Sequence, residues 1–277
     1  MDIKWHICFK PAKEPELYNY LLSTGIPVDY DEILSAFDIL ESNPHWPFID
    51  AYMQNHKLLF LTETIFSKQE LAAAEWLSIR SKWQFGYPQP VDDYLYEQIT
   101  YDGNLICKSC GSNLVQKDHF RLLKTPKWGK RGFGELFWVG DELFVNERTM
   151  NCLSREDLSG IAFDVVKNKS GTTVLPDIYQ LKIPHILDCG LDIAKTPHKK
   201  INVCTHCGTV KYVLNGIGPI TMRREVFQNA PDFVKSGDIF GDRLYASRRK
   251  IVRQKAYQVI INNHLDRGLV FEPINLI

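Results

Sequence analysis

A chain of 277 residues with 44% hydrophobic side chains is long enough for one large domain or two ordinary ones, and it needs no disulfides to hold a core. Its 33 basic and 33 acidic side chains cancel, which argues against a protein that lives on a phosphate backbone and makes any charge effect local. No stretch approaches the ~20 apolar residues of a membrane span, and MDIKWHICFKPAKEPELYNYLL breaks before signal-peptide length, so the expectation is a soluble cytoplasmic protein without membrane contact.

In chain order, IKWHICF (3–9) and KLLFLTE (57–63) read as strands, with helical segments near residues 14–22 and 31–41. FSKQELAAAEWLSIRSKW (66–83) reads as the clearest helix. Ser67 caps it, Glu70 completes a capping box, Phe66 staples onto Leu71, and Ala72, Trp76, Ile79 and Trp83 recur at helical spacing. GYPQP (86–90) ends that region. DYLYEQITYD (93–102) alternates like a strand, with Tyr94, Tyr96 and Tyr101 read as half-buried strand residues rather than as a stacking platform.

The strand leads into CKSCG (107–111), and CTHCG (204–208) repeats the pattern, with 93 residues between Cys110 and Cys204. In a chain without a secretion signal, paired Cys-x-x-Cys motifs point to metal rather than to disulfides. Each turn sets two thiolates on one edge of a tetrahedron and two turns close it, so Cys107, Cys110, Cys204 and Cys207 are the expected ligands of one structural Zn2+. Gly111 and Gly208 suit a sharp turn with positive φ. Four sulfurs leave no open coordination position, which favours a structural over a catalytic ion; His206, inside the second motif, is an alternate ligand. The long separation is no obstacle, because loop closure costs only ~0.6 kcal/mol per doubling of length. Cys8, Cys152 and Cys189 read as buried small hydrophobes.

The segments after the two motifs share an order of anchors. GELF (134–137), GDELF (140–144) and GIAFD (160–164) follow the first; GDIF (237–240), GDRLY (241–245) and GLVFE (268–272) follow the second. The reading is an α+β fold of duplicated half-modules, about 93–200 and 201–277, joined by a split four-cysteine, zinc-ribbon-like knuckle pair, with an amino-terminal α+β region over 1–92. The halves differ in charge. Acids dominate 141–157, whereas Arg243, Arg248, Arg249, Lys250, Arg253 and Lys255 face only Asp242 in 241–255. On a helix, Arg248, Arg249 and Arg253 share a face and are the candidate partner-binding residues. The competing outcome is intramolecular docking on 141–157.

The paired motifs and the GLVFEPI ending (268–274) resemble the double-CXXCG motif proteins of bacteria, over roughly residues 94–277. Some members of that family are classed as immunity proteins, which bind and neutralise a toxin delivered between neighbouring cells. The resemblance implies a zinc-bound interaction protein of the bacterial cytoplasm, with a protein partner such as a cognate toxin; the balanced charge argues against a specific nucleic acid, and the closed metal set against an enzyme. The alternative is a zinc-ribbon nucleic-acid binder using Lys124, Lys127, Lys130 and Arg131 with the basic segment. A hydrolytic enzyme would draw on His119, His185, His198 and His264, none of which falls in a catalytic spacing.

Overall fold

The computed structural model describes residues 1–277, and the chain is α+β throughout. It divides into two compact units, Met1–Glu70 with Asn215–Pro219, and Leu71–Leu214 with Ile220–Ile277. Residues 71–92, assigned above to the amino-terminal region, therefore belong with the second unit.

In the first unit β1 (Asp2–Phe9) is followed by α1 (Pro15–Thr24), β2 (Val28–Asp29), β3 (Ser35–Leu40), α2 (Trp46–Asn55) and β4 (Leu59–Ile65). The four strands form an antiparallel sheet in the order β2-β3-β1-β4. Pro15 opens α1 with a preset φ, and Gly25 ends it in the left-handed conformation. Ile7, Phe9, Phe37 and Ile39 meet Leu17, Leu21, Ile49 and Tyr52 of the helices in one core. The helix expected over 31–41 is the strand β3. Ser35, Phe37 and Ile39 are buried in alternation there, and period two outweighed the weak helical pattern. Asn215–Pro219 attaches to β4, where Thr62 and Thr64 hydroxyls donate to the carbonyls of Asn215 and Gly216 at 2.7 and 2.9 Å.

The second unit begins within α3 (Lys68–Ala73), which is followed by β5 (Trp76–Ser81), so the long helix expected over 66–83 is corrected to a short helix and a strand. The capping box forms: the Ser67 N–H donates to the Glu70 carboxylate at 2.8 Å and the Glu70 N–H to the Ser67 hydroxyl at 3.2 Å. After Ala73 the chain becomes a strand buried on both faces, with Trp76 in one core and Leu77 and Ile79 in another. Such strands read as continuous apolar runs, which imitate helical spacing. The strand expected over 93–102 is likewise corrected. It is a 3-10 turn (Asp92–Tyr94) and α4 (Leu95–Thr100), which buries Tyr96 and Thr100 four residues apart on one face.

β6 (Arg121–Leu122), β7 (Phe133–Leu136), β8 (Val139–Val145), α5 (Glu147–Arg155), β9 (Ala162–Asn168) and β10 (Val174–Lys182) follow. They build a five-stranded sheet in the order β6-β9-β10-β8-β7. Next come β11 (His198–Val203), β12 (Val210–Leu214), β13 (Ile220–Met222), β14 (Phe233–Phe240), β15 (Ser247–Arg253), α6 (Gln254–Asn262) and β16 (Leu269–Leu276). These strands take in β5 and make a seven-stranded sheet, β11-β12-β14-β15-β5-β16-β13. Phe133, Leu143, Val145 and Leu181 from the smaller sheet share a core with Leu77, Phe233, Val252 and Phe271 from the larger one, closed by Leu153 of α5 and Ala256 and Ile260 of α6.

Two segments run hairpin, helix, strand: β7-β8-α5-β9 and β14-β15-α6-β16. In each sheet one antiparallel strand separates the hairpin from the last strand, β10 in the first case and β5 in the second. GELF and GDIF both finish the first hairpin strand. GIAFD and GLVFE both enter the last strand through a left-handed glycine, Gly160 at φ 83° and Gly268 at φ 84°. GDELF lies within β8, whereas GDRLY forms the turn before β15, so that anchor pair occupies non-equivalent places.

Candidate metal centre

The first knuckle hangs from a pinched loop. Tyr101 and Gln116 form an antiparallel bridge, the Asp102 N–H donates to the Val115 carbonyl at 2.9 Å, and Cys107–Cys110 lies at the far end. The second is the tip of the β11-β12 hairpin, closed by Val203 opposite Val210. Their backbone bonds match. The Cys107 N–H donates to Ser112 O at 3.0 Å and the Cys204 N–H to Thr209 O at 2.9 Å. Gly111 and Gly208 donate to the carbonyls of Cys107 and Cys204 at 2.8 and 2.9 Å, at φ 72° and 73°. A side chain at either glycine would strain this turn.

The four sulfurs of Cys107, Cys110, Cys204 and Cys207 lie within 4.8 Å of one another. Across the knuckles, Cys107 Sγ is 3.8 Å from Cys204 Sγ, and Cys110 Sγ is 3.6 Å from Cys207 Sγ. Ligands ~2.3 Å from a tetrahedral ion stand about 3.8 Å apart, so both the donor chemistry and the spacing fit a metal. All four cysteines are free thiols. His206 lies exposed outside the sulfur cluster.

Two hydroxyls, each two residues past a second cysteine, sit beside the sulfurs. Ser112 Oγ is 3.0 Å from Cys110 Sγ and 3.6 Å from Cys207 Sγ; Thr209 Oγ1 is 3.1 Å from both Cys207 Sγ and Ser112 Oγ. Hydrogen bonds from the Thr209 hydroxyl, the Thr209 backbone and the Ser112 hydroxyl lower the Cys207 thiol to about 5, whereas burial raises that of Cys107 to about 11. Lys211 then ties the centre to the rest of the unit. Its buried ammonium donates to the carbonyls of Cys110 at 2.8 Å and Tyr245 at 3.1 Å, and also to that of Arg243. The repeated hydroxyl after each glycine was readable in the sequence; Lys211 carried no local signal.

Arg248, Arg249 and Arg253 lie on β15, not on a helix, so the shared helical face is corrected. Arg248 Nη1 donates to the Ser236 carbonyl at 2.9 Å. Arg249 lies 3.5 Å from Glu272 and over the Phe240 ring, and Arg253 donates to the Ala230 carbonyl at 2.9 Å and stacks over Trp76. The acidic segment meets the basic one through the Arg248 backbone and through Lys255. Asp141 accepts the Arg248 backbone N–H at 2.7 Å, and the Lys255 ammonium donates to the Asp157 carbonyl.

The remaining candidates are dispersed in role. His119 pairs with Asp164 at 2.9 Å, His198 faces the Thr196 carbonyl at 3.0 Å, and His185 and His264 are exposed. Lys124, Lys127 and Lys130 are on the loop after β6, while Arg131 covers the Trp83 ring. Tyr96 and Tyr101 are buried, and Tyr94 is exposed and packs on Trp138 at 4.6 Å between centroids. Cys8 and Cys152 are half-buried and Cys189 is exposed, so none of the three is the buried hydrophobe expected. No helix is long and apolar enough to cross a membrane. Compared with known proteins, the chain matches no family model and no curated protein.

Proposed function

We propose that this chain is a non-catalytic protein-binding module stapled by one structural zinc ion, of the immunity type that neutralises a bacterial toxin. The observation that carries the reading is the closed set of four thiols. Cys107, Cys110, Cys204 and Cys207 would occupy every position of a tetrahedral ion and leave none for a substrate. A four-sulfur tetrahedral set suits zinc or iron, and zinc is the ion proposed because the role is architectural. The resemblance to double-CXXCG proteins supports the immunity assignment. Free thiols at the centre accord with a reducing cytoplasm.

Duplicated half-modules belong to the same proposal, supported by the shared hairpin-helix-strand order and the matching knuckles. Because Arg248, Arg249 and Arg253 spend their guanidinium groups within the chain, partner recognition is assigned to other surfaces. The test is co-expression with the products of neighbouring genes. Restored growth alongside one that arrests growth alone, with co-purification of the two proteins, is the expected result. No protection from any of them, together with a tight complex on a defined DNA or RNA that survives ~0.2 M salt, would replace this reading with the nucleic-acid one.

A further inference from the structure

The open face of the first unit's sheet carries a thiol that the metal centre does not use. β1 runs between β3 and β4 in unbroken antiparallel register, so residues directly opposite one another share a face. Cys8 lies between Ala36 and Leu59, and His6 lies between Asp38 and Leu61. Ile7, Phe9, Phe37 and Ile39 point the other way, into the core. Leu59 and Leu61 are each 68% exposed, and Cys8 is half-buried between its two apolar neighbours.

Three side chains on this face stand in line. His6 Nδ1 is 2.7 Å from Asp38 Oδ1, and His6 Nε2 is 3.7 Å from Cys8 Sγ, within reach of a thiol hydrogen bond. A carboxylate only accepts, so the ring proton belongs on Nδ1, and the neutral imidazole turns the lone pair of Nε2 towards the thiol. Asp38 is kept charged for that role. Lys4 Nζ stands 2.8 Å from its Oδ2, and the Lys4 ammonium first, then His6, hold the carboxyl below the usual range against the opposing effect of burial. A nucleophile, a base within its reach and an acid that orients the base are the arrangement that activates a thiol. The other charges on the face are Asp2, bonded to Ser42, and Glu63, across from Lys4; no charged residue lies opposite Cys8 on either neighbouring strand.

We propose that Cys8 is a nucleophilic thiol that accepts an acyl group from a thioester with an apolar acyl chain. His6 takes the Sγ proton as the sulfur attacks the thioester carbonyl. The Sγ–C bond forms, the donor's C–S bond breaks, and the proton passes from His6 Nε2 to the departing thiolate. One thioester replaces another, with no change of oxidation state and no further reactant. Ala36, Leu59 and Leu61 give the chain an apolar bed, and Asp38 acts as a positioning residue through His6. The transfer is a single-turnover modification of the chain, and it stands independently of the protein-binding reading above.

The test treats the native protein near neutral pH with S-octanoyl-N-acetylcysteamine, and separately with its S-acetyl analogue, and follows each cysteine by peptide mass spectrometry. Cys189, an exposed free thiol of the same chain, is the internal reference. Cys8 should be octanoylated about tenfold or more faster than Cys189 although it is less exposed. A Cys8 rate no higher than that of Cys189 overturns the proposal, and that comparison needs no variant. Relative to Cys189, Cys8 should also favour the octanoyl over the acetyl donor; equal preference overturns the apolar-chain assignment. His6→Ala should bring Cys8 down to the reference rate, with part of the loss restored by added imidazole, and an unchanged rate overturns the role of the base. Asp38→Asn should slow Cys8 about tenfold while Asp38→Glu keeps most of the rate, and equal rates in the two variants overturn the positioning role.

Discussion

Cys107 and Cys110 are each 4% exposed, whereas Cys204 is half-buried and Cys207 lies at the surface, although the two knuckles carry the same backbone bonds. The first is packed: Ile106 beside it is buried, and a Cβ on Gly111 would stand 1.8 Å from the Leu244 carbonyl oxygen. The second is a hairpin tip, and a Cβ on Gly208 would meet open space. Identical local geometry thus sits in two environments. The first knuckle is held by its surroundings, whereas the second has Lys211, which reaches from β12 to the Cys110 carbonyl, and on the proposed reading would be held chiefly by the metal.

The largest effect that separates the two should come from removing a ligand on each side. Cys107→Ala loses the ion and buried packing together, at a cost on the order of 5 kcal/mol, and should leave little soluble protein. Cys207→Ala should also lose tight metal binding yet stay folded by circular dichroism, with disorder confined to the β11-β12 tip in hydrogen exchange. Equal collapse of both variants would break the comparison. Next in size, Lys211→Met strands buried carbonyls of Cys110, Arg243 and Tyr245 and should cost about 3 kcal/mol in denaturant unfolding.

How much of this placement is legible in the sequence depends on how local each residue's signal is. A Cys-x-x-Cys-Gly turn is fixed by five consecutive residues, so the gathering of four cysteines and the positive φ of Gly111 and Gly208 were legible. The Ser67/Glu70 capping box was legible for the same reason. The strands β5 and β15 were not. Their apolar residues divide between two cores, Trp76 and Ile251 on one side and Leu77 and Val252 on the other, and a strand buried on both faces has no alternation to display. Ion pairs such as Lys235 with Glu142, 93 positions apart, depend on sheet order and leave no trace in spacing.

Two smaller effects sharpen the contrast. Gly111→Ala should cost about 2–3 kcal/mol, from left-handed strain plus the collision with Leu244, and Gly208→Ala only about 1 kcal/mol from strain alone, both read from thermal melting of metal-loaded protein. Ser112→Ala and Thr209→Val leave all four sulfurs in place and remove their neighbouring hydroxyls; metal affinity should fall about tenfold in competition with a chromophoric chelator. A larger loss at Thr209 than at Ser112 would show that the exposed knuckle leans more on its hydroxyl than the buried one does.

The central claim, that one ion joins the two knuckles through four thiolates, is met most directly by X-ray absorption at the metal edge combined with elemental analysis of the native protein. One zinc per chain with a single shell of four sulfurs at about 2.3 Å is the predicted result. An absence of metal, a disulfide within either cysteine pair, or a shell containing nitrogen or oxygen would contradict it.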